Sequence, residues 1–324
     1  MSAQRRGRRP GRARQRGIAL LVAILLVAMG TIIAAAMAYE NAMTARRGAA
    51  TLALDNTILV GEAAEALAAW GLRQTMQSGG SNIYIGQGWD KPVGPVEVVP
   101  GVMLSAKLDD LSGRFNVNSL VNPDGTPNKV AVTAFEQLLN SLQIEPRWAG
   151  YLVDWIDQDN QPQPTEGAED SVYMGQQPPY LAANMYITST TELLALPGFG
   201  RDRYKRLAPF IVALPNDAKI NICTAPGAVL DALTGQQEFG RDPDGLQKNR
   251  LNANACFPSQ AEFQQSFASQ QLYTQVSAMT ATSSSYFRLT SFVTIDTTEF
   301  NLYSLMYLNG QGMVRPIIRT FTPD

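Results

Sequence analysis

The sequence predicts an α+β protein: a long N-terminal helix, an antiparallel sheet laid against it, and a large, mostly helical domain inserted into that sheet. Three observations carry the prediction. An uncharged run of 22 residues, Ile18–Tyr39, continues into an alanine- and leucine-rich stretch that meets a breaker only at Ser78-Gly79-Gly80-Ser81. Two-residue alternation at 102–110, and again after 286, marks half-buried strands. Between them apolar residues return at helical spacing instead. The parts are then a basic leader, 1-17; the membrane-spanning part of the helix, 18-39; its exported part, 40-78; a sheet domain, 79-114 and 281-324; and the inserted helical domain, 115-280.

The leader sets the orientation of the helix. Met1–Gly17 carries seven arginines and no acid, so a whole-chain charge of −2 leaves −9 on the remainder. At about 1.5 Å per residue the uncharged run reaches roughly 33 Å, enough for a bilayer core of about 30 Å. The leader arginines outweigh Arg46 and Arg47 on the far flank, which holds the N-terminus in the cytoplasm and exports Glu40 onward. Three processing routes compete: a secretory signal cut near Ala36-Met37-Ala38, a twin-arginine signal on Arg5-Arg6 or Arg8-Arg9, and a cut before the apolar run, after Gly17. The apolar core is longer than a secretory signal needs and no consensus surrounds the arginine pairs, so the cut after Gly17 is favoured. Beyond Tyr39, Leu52, Leu59, Ala63, Leu67 and Leu72 fall at helical spacing and predict the packed face of a single helix of about 60 residues. Gly30, Gly48, Gly61 and Gly71 are its candidate kinks.

In VMLSAKLDD, Leu104, Ala106 and Leu108 share a buried face, and YFRLTSFVTI alternates through Phe287, Leu289, Val293 and Ile295. NLYSLMYL and MVRPIIRTF flank Asn309-Gly310-Gln311-Gly312, a hairpin signal, and Pro316 makes the last run an edge strand. In the insert, VAVTAFEQLLNSL, RWAGYLVDWID, TSTTELLAL, GRDRYKRLAPFIVAL and PGAVLDAL read as helices. Two segments, 114–119 and 219–224, echo each other ahead of helices, with Ser119 and Thr224 as expected N-caps. Leu196-Pro197-Gly198-Phe199-Gly200 has the form of a helix-hairpin-helix turn. With Arg201, Arg203, Lys205 and Arg206 after it, such a turn can grip nucleic-acid phosphates. An exported, acidic body favours a plain connection between packed helices instead.

Composition narrows the chemistry. The chain has no histidine, which removes Ser-His-Asp and Cys-His nucleophile activation and imidazole-based zinc sites. No catalytic residue is assigned, and an assembly or binding role is expected. Cys223 and Cys256 suffice for one disulfide, favoured on the oxidising side of the membrane and worth about 3–4 kcal/mol by loop closure. The densest chemistry is DWIDQDNQPQPTEGAED, where Asp154, Asp157, Asp159, Glu166, Glu169 and Asp170 crowd together with no Lys or Arg between Arg147 and Arg201. Asp157 and Asp159 offer hard oxygens at close spacing, and the prolines and Gly167 fold the loop so that Glu169 and Asp170 complete a set suited to calcium. Pro162 and Ala168 at the sixth and twelfth positions from Asp157 exclude an EF-hand. A solvated acidic loop is the competing reading. Asp242-Pro243-Asp244-Gly245 reads as a turn.

A basic leader ending in glycine, then an apolar helix that runs on into the exported body, resembles the type IV pilin and type II secretion pseudopilin superfamily. That resemblance implies cleavage after Gly17 by prepilin peptidase, methylation of the new amine on Ile18, and an antiparallel sheet on the helix. Most of the superfamily has glutamate at the fifth mature position, where this chain has Val22. Together with the inserted helices and KINICTAPGAVLDAL, this is similar to the K-type minor pseudopilins. The likeness implies a bacterial inner-membrane protein with a periplasmic body at the tip of the pseudopilus, initiating and capping its assembly for export across the outer membrane. It implies I- and J-type minor pseudopilins and other pseudopilins as partners, with secreted substrates and the outer-membrane secretin as further contacts and no nucleic acid. It also implies calcium in the helical domain, with Asp157, Asp159, Glu169 and Asp170 as the expected ligands. The alternatives are a tip minor pilin of a type IV pilus and a membrane-anchored exported hydrolase or binding protein.

Overall fold

The computed structural model describes residues 16–164 and 166–322, so all but the end of the leader lies outside it. Helix α1 (Arg16–Gly79) is continuous over 64 residues and contains no proline. It runs through two compact units, one ending at Asn56 and the other beginning at Thr57. In the first unit, residues 18–42 are all exposed. Leu21 at 69% and Ile32 at 68% exposure mark a surface that water does not tolerate over such a length.

The second unit opens with the last turns of α1. Their buried residues are Thr57, Gly61, Ala64, Glu65, Ala69, Leu72 and Thr75. This corrects the leucine face read from the sequence: Leu59 and Leu67 are 62% and 48% exposed, and only Leu72 of that row is buried. The reason is proximity. A Cβ on Gly61 would stand 2.2 Å from Leu302 Cδ2, so the inward face must be built of small residues. Gly61 is a close-approach site and not a hinge.

Strands β1 (Val93–Val99) and β2 (Val102–Asp110) come next. The chain then leaves the sheet through β3 (Phe115–Asn116), α2 (Lys129–Ser141), α3 (Trp148–Ile156), α4 (Asp170–Tyr173), α5 (Gly200–Leu207), β4 (Ile211–Val212) and β5 (Ile220–Asn221). It continues through α6 (Gly227–Thr234), α7 (Pro243–Ala253), α8 (Gln260–Gln265), α9 (Gln270–Ser277) and β6 (Thr280–Ala281). Strands β7 (Tyr286–Ile295), β8 (Thr298–Leu308) and β9 (Val314–Thr320) finish the sheet. Its order is β1-β2-β7-β8-β9, antiparallel throughout, with Asp110 opposite Phe287. The sheet is thus interrupted between neighbours. As expected, β9 with Pro316 is an edge, and Asn309–Gly312 closes its hairpin. The other edge, β1, was not anticipated: Gly94-Pro95 and Pro100 hide its alternation, and every one of its residues is exposed.

Two large apolar cores and a small third one, Leu111 with Val212 and Leu214, make up the buried interior of the second unit among the described residues. Of the two large ones, one gathers Ala64, Leu72, Leu104, Leu108, Phe287, Leu289, Val293 and Met306 between α1 and the sheet. The other belongs to the insert. It includes Phe115 stacked on Phe135 at 5.4 Å, the α2 face Ala131, Ala134, Phe135, Leu138 and Leu139, and Leu152, Phe199 and Leu230. Asn128 starts α2 by accepting from Ala131 N–H.

Several local expectations change. TSTTELLAL forms a short 3-10 turn, Thr190–Ala195, capped by Ser189, and not an α-helix. The end of GRDRYKRLAPFIVAL becomes β4 after Pro209. Asp242, expected in a turn, caps α7 by accepting from Gly245 N–H. Ser119 and Thr224 cap nothing: Ser119 Oγ donates to the Asn116 carbonyl and Thr224 Oγ1 to Asp110. The two echoed segments share a different device. In each, a buried asparagine, Asn116 or Asn221, accepts the N–H two residues on and is the last residue of a two-residue parallel pairing.

Candidate functional site

The acidic loop folds back on the end of α3 and gathers a cluster of carboxylates. One carboxylate oxygen from each of Asp154, Asp157 and Glu169 lies within 4.8 Å of the others, and all three residues are buried. Asp154 organises the loop. Its oxygens accept from Gln163 N–H (3.1 Å) and Ala168 N–H (2.6 Å), and a Cβ on Gly167 would stand 2.2 Å from its Oδ2. Asp157 and Glu169 have no such partners: among the described residues, all four of their carboxylate oxygens are buried without a hydrogen bond. Buried oxygens of this kind cost about 1–3 kcal/mol each, more when charged, unless something outside the chain satisfies them. Burial first, then the neighbouring carboxylates, pushes both Asp157 and Glu169 up to about 7. The buried Tyr173 hydroxyl beside them is also unpartnered, and burial raises it too. Hard oxygens, negative charge and unmet acceptors fit a hard cation.

Of the four expected ligands the structure brings Asp157 and Glu169 together and adds Asp154. The signal for Asp154 was present, since residues three apart on a helix share a face. Asp159 is exposed at the rim, where its Oδ1 accepts from Gln161 N–H and its charge raises Asp157. Asp170 turns to Ala182 N–H (3.0 Å) while its charge acts on Glu169. Asn184 adds a buried, unpartnered Oδ1, and its amide reaches Asn160 on the same loop.

Other buried carboxylates are satisfied by the chain. Glu65 on α1 takes Arg319 Nε (2.7 Å) and Nη2 (2.8 Å) and Ser304 Oγ (2.6 Å), which fastens β8 and β9 to the helix. Asp110, at the end of β2, accepts from Ser284, Thr224 and Ser112 N–H, which ties the exit and return of the insert. Neither residue stood out in the sequence. A second brace is covalent: Cys223 and Cys256 are joined across a separation of 33 residues.

The turn at Pro197-Gly198 is a packing element. Phe199 is fully buried edge-on to Trp148, Arg203 grips Glu145, and Arg206 donates to the carbonyls of Leu142 and Gln143. Two of the four basic residues are therefore spent within the fold.

On α1, Ile18 and Val22 lie within an exposed, apolar helix long enough to cross a membrane. Most of the leader before Gly17 lies outside the described residues. An apolar anchor that continues onto an antiparallel sheet, with a helical domain set between adjacent strands, defines a pseudopilin-class subunit. A family model described as "Type II secretion system (T2SS), protein K" matches residues 113–216. Over 94% of its length the chain is 32% identical to type II secretion system protein K of Pseudomonas aeruginosa, of which it covers 92%. The chain belongs to the type II secretion system protein K family and is a minor pseudopilin. It is also 35% identical to protein K of Aeromonas hydrophila, over 64% of this chain and 66% of that one. A solved structure of the GspK-GspI-GspJ complex from enterotoxigenic Escherichia coli shares the fold, with a TM-score of 0.72 and 23% identity over 86% of this chain and 100% of that chain.

Proposed function

We propose that this pseudopilin occupies the tip of the type II secretion pseudopilus, where it initiates and caps the fibre. Val22 carries the reading. A carboxylate at that depth of the bilayer costs several kcal/mol unless a neighbouring amine pairs with it, and a subunit with nothing ahead of it has no such amine. The leader arginines put the N-terminus in the cytoplasm and the body in the periplasm, across the inner membrane. Prepilin peptidase cuts after Gly17 and leaves Ile18 as the methylated first residue. The exposed leucines of α1 meet the helices of sister pseudopilins, and I- and J-type minor pseudopilins are the direct partners, as in the GspK-GspI-GspJ complex of the structural relative. The role is structural, with no reaction catalysed.

Calcium fits the cluster. Asp157 and Glu169 would hold it, with Asp154 alongside and Asp159 or Asn184 reaching it from the rim. The ion would supply only charge neutralisation, letting α3 and α4 close without repulsion. Membranes bearing the full chain and its peptidase provide the test. The mature N-terminus should be N-methylated Ile18, and cross-linking should recover I- and J-type subunits. A mature N-terminus at Ser2 or Tyr39, or an intact chain absent from the minor pseudopilin complex, would overturn the reading.

A further inference from the structure

A second charged site lies in the insert, away from the acidic cluster. Arg250, on α7, is only 4% exposed, and no ion pair among the described residues includes it. Its Nε donates to the Phe257 carbonyl (2.9 Å) and its Nη2 to those of Ile222 (3.2 Å) and Ala225 (2.7 Å). Nη1 has no hydrogen-bond partner among the described residues and is not sealed from solvent. Burial pulls this guanidinium down to about 10, and no neighbouring charge opposes the pull. A buried cation that meets only carbonyl dipoles lacks the counter-ion that such groups ordinarily require.

The space Arg250 faces is a cleft of about 910 Å³. Two more features on its wall favour negative charge. Arg241 is exposed there and forms no salt bridge among the described residues. The eight-residue α6 also starts there, at Pro226-Gly227-Ala228, with no side-chain cap. The one carboxylate of the α6 side of the cleft, Asp231, is engaged by the N–H groups of Glu238, Phe239 and Gly240. Gln137, Asn140, Gln236 and Gln247 complete a polar rim of amides, suited to a peptide-like ligand.

We propose that this cleft binds a carboxylate, held between Arg250 Nη1 and Arg241 at the start of α6. The carboxylate belongs either to a free small acid or to an acidic side chain of a partner segment lying across the amides.

Arg250 also clamps the chain on both sides of the Cys223–Cys256 disulfide, so its removal threatens folding. The test therefore rests on Arg241→Gln and Gln247→Glu, both at exposed positions. The full chain in detergent micelles, at fixed ionic strength, is titrated with glutarate and with a blocked Asp-Glu dipeptide, and the melting temperature is followed. A rise with either ligand, saturating by about 50 mM, is the expected result. Arg241→Gln should raise the half-saturating concentration about fivefold, and Gln247→Glu, which supplies a tethered carboxylate, should raise the starting melting temperature and abolish the response. A response to glutarate alone assigns a free acid, and one to the dipeptide alone a partner chain. No rise with either ligand, or an equal rise in Gln247→Glu, overturns the proposal.

Discussion

Glu65 and Glu169 are both buried glutamates of one unit, and the protein treats them in opposite ways. Around Glu65 the chain supplies a two-pronged arginine and a serine hydroxyl; around Glu169 the described residues supply none, and Asp154 and Asp157 stand beside it as well. The first carboxylate is met from within the chain, and the second has no hydrogen-bond partner among the described residues, which is what supports the proposed cation there. Burial alone is therefore a poor guide to function; whether the acceptor is met is the informative observation.

Removing a partner tests the closed site hardest. Arg319→Met should strand Glu65 and cost about 2–3 kcal/mol in denaturant unfolding, less than a fully enclosed pair because the arginine is partly exposed. Adding Glu65→Gln should recover much of that loss. Without calcium, the open site should respond with the opposite sign: Glu169→Gln removes repulsion and should stabilise by about 1 kcal/mol. Calcium at the proposed site should raise the melting temperature of the unaltered protein, and the same substitution should abolish that rise. If Glu169→Gln destabilises the chelated protein as much as Arg319→Met does, the contrast fails.

The pH dependence sharpens the comparison. Asp157 and Glu169 hold protons up to about 7 in the fold, well above their unfolded range. Between about pH 4 and 7 the folded state thus binds more protons than the unfolded one, so the chelated protein should lose stability as pH rises through that window. Calcium should flatten the loss, as melting curves at pH 5 and pH 7 will register. The smallest effect should come from the exposed pair of Arg203 with Glu145, where Arg203→Ala should move the chemical-denaturation midpoint least of these variants.

Much of the architecture was legible in the sequence because it rests on local patterns. The span of α1, strands β2 and β7, and the β8–β9 hairpin follow from unbroken apolar runs, alternation and Asn309-Gly310. The inward face of α1 was not legible. Hydrophobicity points to Leu59 and Leu67, whereas contact with β8 demands Gly61 and Ala64, and only the position of Leu302 reveals that demand. For the same reason Asp110 and Arg250 stayed hidden, since their partners lie far along the chain. In the acidic loop composition located the carboxylate cluster, while three-dimensional closure separated Asp154, Asp157 and Glu169 from Asp159 and Asp170.

The pairing of Asp110 with Phe287 has a kinetic side. Strands β2 and β7 are neighbours in space, yet the whole insert is synthesised between them. Joining them across a disordered chain of that length would demand a large loop-closure entropy. Once the insert has its own core, with Asp110 bound to Ser284 and Thr224 at its base, its two ends are already side by side and the loop to be closed is only a few residues. The ordering of the sheet would then wait on the insert, and damage to α2 or α6 should be felt as a slow or failed assembly of the β2–β7 pair.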